Sequence, residues 1–326
     1  MKHNLTVAVI GSGFMGKTHA NVLKNLVENL IICSNDEATG KTLAKETNGK
    51  YYFDYITMLQ SEKIDFVSIC LPTHLHHFAT TEAIKHKINV LCEKPFASTV
   101  EEAEDIVNIA NKNKVHLMVA HPLRFCPYWE YLRNMVNNKS LGKLVSADLY
   151  RHSSVPGWSV GNWLSDTKKS GGVMFDLHIH ETDISTSIFG VPDKVFARVN
   201  GGSCHSSFIY DDGKIVNTSS SWRNIQNMFE SGYDAVFEKG VVRYCDNKGI
   251  TLHINDEITT VTDDKIFTPI LGKNMYENEI RYYIKCLTEK KMPEKCMPDD
   301  TVAVMKINHA EIQSARTGKI VKIESI

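Results

Sequence analysis

Three groups of residues in this 326-residue chain have types and spacing that carry chemistry. Lys94 sits in Leu91-Cys92-Glu93-Lys94-Pro95-Phe96, just after an apolar run. An ammonium at such a place stabilises negative charge developing on a substrate oxygen. Asp176 and His180, in Asp176-Leu177-His178-Ile179-His180, are four residues apart. On a helix they share one face, where a carboxylate fixes the imidazole tautomer and raises its basicity. That pair is competent to take a proton from an alcohol. The competing readings are an ordinary helix-surface contact for the pair and a surface loop for Lys94. The third group, Gly11-Ser12-Gly13-Phe14-Met15-Gly16, fits G-x-G-x-x-G directly after an apolar run. The first glycine permits a tight turn, the second a close approach of backbone to a pyrophosphate, the third close helix packing. Helix N-terminal amides then face the phosphates.

These residues need strands and helices to position them. Leu5–Ile10, Leu30–Cys33, Phe66–Leu71, Asn89–Cys92 and Val115–Ala120 are continuous apolar runs. Between them lie helical stretches at 16–26, 39–47, 79–86 and 99–113, the last opening on a Ser98-Thr99-Val100-Glu101 capping box. Buried strands alternating with helices indicate parallel β-α-β units covered on both faces. In such sheets ligands bind beyond the carboxyl ends of the strands. That rule puts Glu93 and Lys94 at a binding edge, with Leu71, Pro72, Thr73 and His76 at the equivalent place after the preceding strand.

The pattern changes after about residue 121. A helix over 127–137 leads to a strand at 144–151, a Gly- and Trp-containing loop at 153–172 and a helix over 173–188. Short alternating strands fill 194–262, with turns at Asp212-Gly213, Lys239-Gly240 and Lys248-Gly249. Helices over 275–288 and 301–317 follow, with Gly318 as a C-cap. The fold class expected is α/β, with a doubly wound parallel sheet over 1–121. A C-terminal α+β domain over 122–326 carries a large, mostly antiparallel open sheet.

Composition removes several classes. There are 37 Lys plus Arg against 38 Asp plus Glu, so no broad positive field exists for nucleic acid. No apolar run approaches the ~18 residues of a membrane helix, and the N-terminus lacks a signal-peptide pattern. The 8 cysteines include no C-x-x-C pair, which indicates a reduced, cytoplasmic protein without a disulfide framework. His74, His76, His77, His152, His178, His180 and Glu181 show no ligand spacing, so no metal is expected.

Taken in order, the glycine motif, Pro72-Thr-His-Leu-His76, Glu93-Lys-Pro95, Arg124-Phe125, Asp176-Leu-His-Ile-His180 and Ser314-Ala-Arg-Thr-Gly-Lys-Ile-Val321 resemble the Gfo/Idh/MocA family. This is the family of glucose-fructose oxidoreductase and inositol dehydrogenase. The resemblance implies a Rossmann domain, a nicotinamide cofactor, oxidation of a sugar or polyol hydroxyl, and a homodimer or homotetramer. It implies that Lys94 contacts nicotinamide ribose and the reacting oxygen, that Asp176 orients the polar cluster, and that His180 is the general base. Pro95 is commonly cis in the family.

The cofactor set expected is Gly11, Ser12, Gly13, Phe14, Met15, Gly16, Ser34, Asn35, Leu71, Pro72, Thr73, His76, Glu93 and Lys94. Ser34 stands near the strand end where many NAD-using members have Asp, so NAD and NADP stay open. Asp36 reaches the ribose or merely starts a helix. Substrate contacts are expected from Arg124, His152, Trp163 and His178, with Tyr150 and Trp158 also in view. For Arg124 a salt bridge, and for Trp163 core packing, compete with that reading. Two rival functions remain: a cofactor-recycling epimerase or glycoside-cleaving enzyme, and a non-enzymatic NAD(P)-sensing regulator.

Overall fold

The structure is a computed structural model and describes residues 2–154, 156–157, 159–223, 229–267 and 271–323. The chain forms two compact units. The first is the chain up to Pro122 together with Tyr276–Val302 and a short stretch ending at Trp163; the second is the rest. Beyond the expected division near residue 121, a later segment, Tyr276–Val302, groups with the first unit.

In the first unit β1 (His3–Ile10), β2 (Val27–Cys33), β3 (Lys50–Tyr52), β4 (Phe66–Ile69), β5 (Asn89–Glu93) and β6 (Leu117–Ala120) form one sheet. Its order is β3-β2-β1-β4-β5-β6, every pair parallel. The continuous apolar runs are buried for this reason: helices cover both faces of a parallel sheet. The helices are α1 (Phe14–Leu23), α2 (Glu37–Thr47), α3 (Tyr55–Ser61), α4 (His76–Lys85) and α5 (Val100–Asn113). β3 and α3 were not foreseen; β3 has only three residues and no apolar run.

The α5 cap sits one residue later than expected. Thr99 accepts the Glu102 N–H, and the Glu102 carboxylate reaches back to the Ser98 N–H at 2.9 Å. Glu102, not Glu101, occupies the third helical position, where a carboxylate can reach back.

In the second unit come α6 (Pro127–Asn138), β7 (Leu144–Ser153), α7 (Thr167–Ser170), α8 (Ile179–Phe189), β8 (Lys194–Asn200), β9 (Ser203–Ile209), β10 (Ile215–Ser221), β11 (Phe229–Phe237), β12 (Gly240–Cys245), β13 (Gly249–Ile254), β14 (Glu257–Thr260) and α9 (Asp263–Ile266). After α10 (Met275–Glu289), α11 (Pro298–Thr317) contains the last boundary between units, and β15 (Val321–Lys322) closes the sheet. The nine-stranded order is β14-β13-β12-β11-β7-β10-β9-β8-β15. Only β7 and β10 pair in parallel. Alternate residues of the strands face a core of Trp129, Leu132, Leu149, Ile184, Ile188, Phe208, Tyr233 and Phe237. Burying each such side chain stabilises the fold by about 1.5–3 kcal/mol. The other set leaves Ile215 and Val236 exposed.

Among the described residues no helix is long and apolar enough to cross a membrane. None of the eight cysteines forms a disulfide, and those of β2, β5 and β9 are buried.

Tyr283 shows how α10 is anchored to the first sheet. Its ring meets Phe66 edge-on at 5.2 Å, and its hydroxyl donates to the Val90 and His116 carbonyls at 2.9 and 2.8 Å. Tyr283→Phe should lower stability by about 1–2 kcal/mol, since buried acceptors lose a donor. Urea unfolding measures this; an unshifted midpoint would show that the hydroxyl does not anchor the helix.

Candidate functional site

The glycine loop meets the demands of a dinucleotide cradle. Gly11 has φ +111°, and a Cβ there would lie 2.4 Å from the Cys70 carbonyl oxygen. A Cβ on Gly16 would lie 2.0 Å from the Gly11 oxygen. Neither position admits a side chain. Gly13 is different: its Cβ would meet nothing within 4 Å. The backbone is thus open at the second glycine, the one that must let a pyrophosphate approach. Gly13 is also the N-cap of α1 and supplies no side-chain cap, leaving first-turn amides for an anion. Ser12 is buried, Met15 half-buried and Phe14 exposed. At the exit of β2, Ser34 is buried and Asn35 exposed.

The exits of β4 and β5 lie on the same edge. Leu71 and Pro72 are half-buried, Thr73 buried. His76, fully enclosed, has Nε2 at 2.7 Å from the Leu71 carbonyl and Nδ1 at 2.8 Å from that of Pro95. It therefore ties the two exit loops together. Burial pushes its imidazolium below the ordinary value, and the two carbonyls oppose that shift. The Lys94–Pro95 peptide is cis. Lys94 is half-buried, and its N–H donates to Glu93 Oε2 at 3.2 Å.

Beneath this edge lies a pair that sequence reading missed. His19 Nε2 is 3.0 Å from Glu93 Oε1, and its Nδ1 is 2.7 Å from Ser68 Oγ. Burial alone would lower the His19 imidazolium. Cys70 and Glu93 beside it outweigh that and hold it well above its ordinary value. One buried side chain thereby links α1, β4 and β5. A signal existed, since His19 falls beside Ala20 on the apolar stripe of α1, where a polar residue requires a partner.

In the second unit the helix expected over 173–188 is two pieces. Gly171 and Gly172 have φ of +71° and +73°, and Val173–Leu177 follows as a π turn closed by His178 N–H to the Val173 carbonyl at 2.8 Å. The α-helix begins at Ile179. Asp176 is in the wide turn and His180 in the first turn of α8, both half-buried. The simple i,i+4 face argument does not span that change of pitch. Wide turns of this kind recur at functional sites.

The residues expected to line a substrate divide. His178 is 0% exposed. Its Nδ1 is 2.8 Å from Ser220 Oγ, and its Nε2 is 3.2 Å from both Glu311 Oε1 and Ser206 Oγ. These contacts enclose the ring in the interior of the second unit. Arg124 is 7% exposed and grips Asp183 with Nε at 3.0 Å and Nη2 at 2.7 Å. The salt bridge is the reading its geometry favours. His152 and Tyr150 alternate with Arg151 along β7; Arg151 meets Glu181 of α8 at 2.8 Å, so the other two face away from α8. His152 instead contacts Ser219 at 3.2 Å. Trp163 is half-buried in a 3-10 turn, Val160–Ser165. Trp158 lies outside the described residues. An open groove of about 600 Å³, lined by Val173, Met174, Trp222 and Ile312, does not include Asp176 or His180. No cluster suited to a metal ion occurs among the described residues.

A parallel six-stranded sheet with a glycine cradle at its binding edge defines a dinucleotide-binding oxidoreductase architecture. Residues 5–121 match the oxidoreductase family model with an NAD-binding Rossmann fold, and residues 129–243 match the GFO/IDH/MocA C-terminal domain. The chain belongs to the Gfo/Idh/MocA oxidoreductase family. D-glucoside 3-dehydrogenase of Escherichia coli K12 is 32% identical over 194 residues, 58% of this chain and 55% of that protein. The 2,7-anhydro-N-acetylneuraminate hydratase of Mediterraneibacter gnavus is 28% identical over 210 residues, 63% of this chain and 54% of that protein. The chain thus spans about half the length of these two relatives. Levoglucosan dehydrogenase, solved with NADH and levoglucosan, shares the fold at a TM-score of 0.88 and 17% identity, over 99% of this chain and 100% of that one.

The His178 knot has a pH signature. Ser220 Oγ donates to Glu181 Oε2 at 3.1 Å, so it accepts from His178 Nδ1–H. With Glu311 accepting at Nε2, both ring nitrogens donate and the ring is cationic. Burial would lower its imidazolium, but Cys204 and Glu311 raise it well above its ordinary value. A raised folded value stabilises fully below the unfolded value of about 6.5 and is lost as pH rises through the folded value. His178→Gln should cost about 3–5 kcal/mol, the range for breaking a buried pair. Denaturant titrations from pH 6 upward should show wild type losing stability more steeply than the variant. Parallel pH dependences would remove the charged ring from the account.

Proposed function

We propose that this protein is an NAD(P)-dependent dehydrogenase that oxidises a secondary hydroxyl of a sugar or polyol. One observation carries the reading: Lys94 stands at the carboxyl end of β5, on the edge that carries the glycine cradle, with Glu93 and His76 fixing the loop around it. Similarity to a glucoside dehydrogenase supports the substrate class. The cofactor, when bound, supplies the hydride acceptor.

The chain's residues manage the proton and the charge. His180 takes the hydroxyl proton as general base, and Asp176 orients its ring and raises its basicity. Lys94 stabilises the alkoxide that develops as the proton leaves. Its ammonium acts most strongly where water is excluded, and its half-buried position suits that role. Self-association through the large sheet agrees with the exposed Ile215 and Val236.

His180→Ala and Lys94→Ala should each lower kcat by about 10²–10⁴, the usual contribution of a positioned acid–base or charge-stabilising group. NADH binding measured by fluorescence should persist in His180→Ala. A panel of sugars and polyols, followed at the reduced-nicotinamide band, checks the reaction. Near-wild-type turnover in both variants would overturn the roles. Product formed without net reduced nicotinamide would replace the dehydrogenase by a cofactor-recycling enzyme.

A further inference from the structure

The second unit holds an open groove of about 600 Å³ that the proposed reaction does not use. Lys94, Asp176 and His180 do not line it. Its volume lies within the range of small-molecule pockets, about 300–1,000 Å³. Every described residue that lines it belongs to the second unit.

The floor is the margin of a small satellite core. Val173 and Met174 of the π turn are buried together with Trp222, the residue after β10. Ile312 and Ala315 of α11 pack against the same cluster and stay half-buried. An apolar ligand body lying on them removes that remaining surface from water.

The rim is cationic. Arg223 follows Trp222 and is exposed, and its Nε donates to the Gly201 carbonyl. A Cβ at Gly202 would lie 3.3 Å from that Nε. The glycine turn between β8 and β9 therefore lets the guanidinium rest on the backbone. One carbonyl occupies one donor of the fork, and a guanidinium has five. Arg316 is exposed one helical turn beyond Ile312, so the two share a face of α11. It stands in the last turn of that helix, whose carbonyl end favours a cation. Among the described residues that line the groove there are two arginines and no carboxylate.

This combination selects a ligand. A small polar anion leaves the floor uncovered, and a purely apolar molecule gives the guanidinium groups nothing to bind. An apolar body that ends in a carboxylate meets both demands, since the planar fork of arginine matches a carboxylate.

We propose that this groove binds a small amphipathic carboxylate. Its apolar body lies against Val173, Met174, Trp222 and Ile312, and Arg223 and Arg316 hold its charged end. None of the residues assigned to the reaction lines the groove, so the proposal stands independently of the dehydrogenase reading.

Titration calorimetry of the full chain with 1-naphthoate, and with the neutral 1-naphthalenemethanol, tests it. Naphthoate should bind with a dissociation constant of about 1 mM or tighter, in keeping with its size. The neutral analogue should bind about fivefold more weakly, the contribution of ion pairs at exposed arginines. Arg223→Gln combined with Arg316→Gln should bring naphthoate to the affinity of the neutral analogue and leave the analogue unchanged. Both positions are exposed, so the fold is not endangered. Lys94→Ala should change neither affinity. The proposal is overturned if wild type shows no saturable naphthoate binding or equal affinity for the two ligands. It is equally overturned if the double arginine variant keeps the wild-type preference, or if Lys94→Ala loses naphthoate, which would move the binding to the cofactor edge.

Discussion

The first unit depends on how closely the chain after β1 approaches the chain after β4. A Cβ at Gly11 would press on the Cys70 carbonyl, and one at Gly16 would press on Gly11 itself. These contacts are backbone on backbone, so no side-chain rearrangement relieves them. The loop is thereby drawn against the sheet edge and α1 starts there, its amides directed outward. Everything expected of a phosphate site follows from that closeness. The His19–Glu93–Ser68 contacts then lock α1 to β4 and β5 from below. The residue after Glu93 is Lys94, so the same polar contacts that brace the cradle also fix the root of the ammonium.

A second set of buried charges organises the other unit by the same physics. Arg124–Asp183, Arg151–Glu181 and His178–Glu311 are each almost wholly enclosed. Isolated, any of these ions would be expensive to bury. Ser220 joins the Arg151–Glu181 pair to the His178–Glu311 pair, and Thr182 donates to Glu311 as well, so most of these hydrogen-bonding groups are matched, although Arg151 Nη2 has no hydrogen-bond partner. Matched polar contacts are directional, unlike apolar packing, and so specify one arrangement of α8 and α11 on β7, β9 and β10. The π turn before α8 is thus held by residues on both sides of it, with Asn308 donating to the Met174 carbonyl within it at 2.9 Å.

Much of the fold was legible because the first sheet is buried on both faces. Continuous apolar runs and intervening helices leave few alternatives, and the strand-end rule then locates Gly11, Thr73 and Lys94 on one edge. β3 escaped because a three-residue edge strand, Lys50–Tyr52, has too little pattern to read. The return of Tyr276–Val302 to the first unit escaped for another reason. Its anchor is a tyrosine hydroxyl on two carbonyls far away in sequence, and periodicity says only which face of α10 is apolar, not which partner that face meets.

The candidate site was less legible in the second unit, and the cause is specific. Spacing locates side chains only while the helical pitch is constant. The π turn breaks that assumption between Asp176 and His180, and it leaves no mark in composition beyond the glycines that precede it. His178 illustrates the second difficulty. A histidine between two candidate catalytic residues reads naturally as a ligand contact, yet its side chain turns into the interior, where it meets Ser206 of β9, Ser220 of β10 and Glu311 of α11. Sequence adjacency to a reactive group therefore carries little weight in a helix with polar residues on both faces. What decides is whether the side chain's donors are already matched. His178 has both nitrogens matched in the interior, by Ser220 at Nδ1 and Glu311 at Nε2.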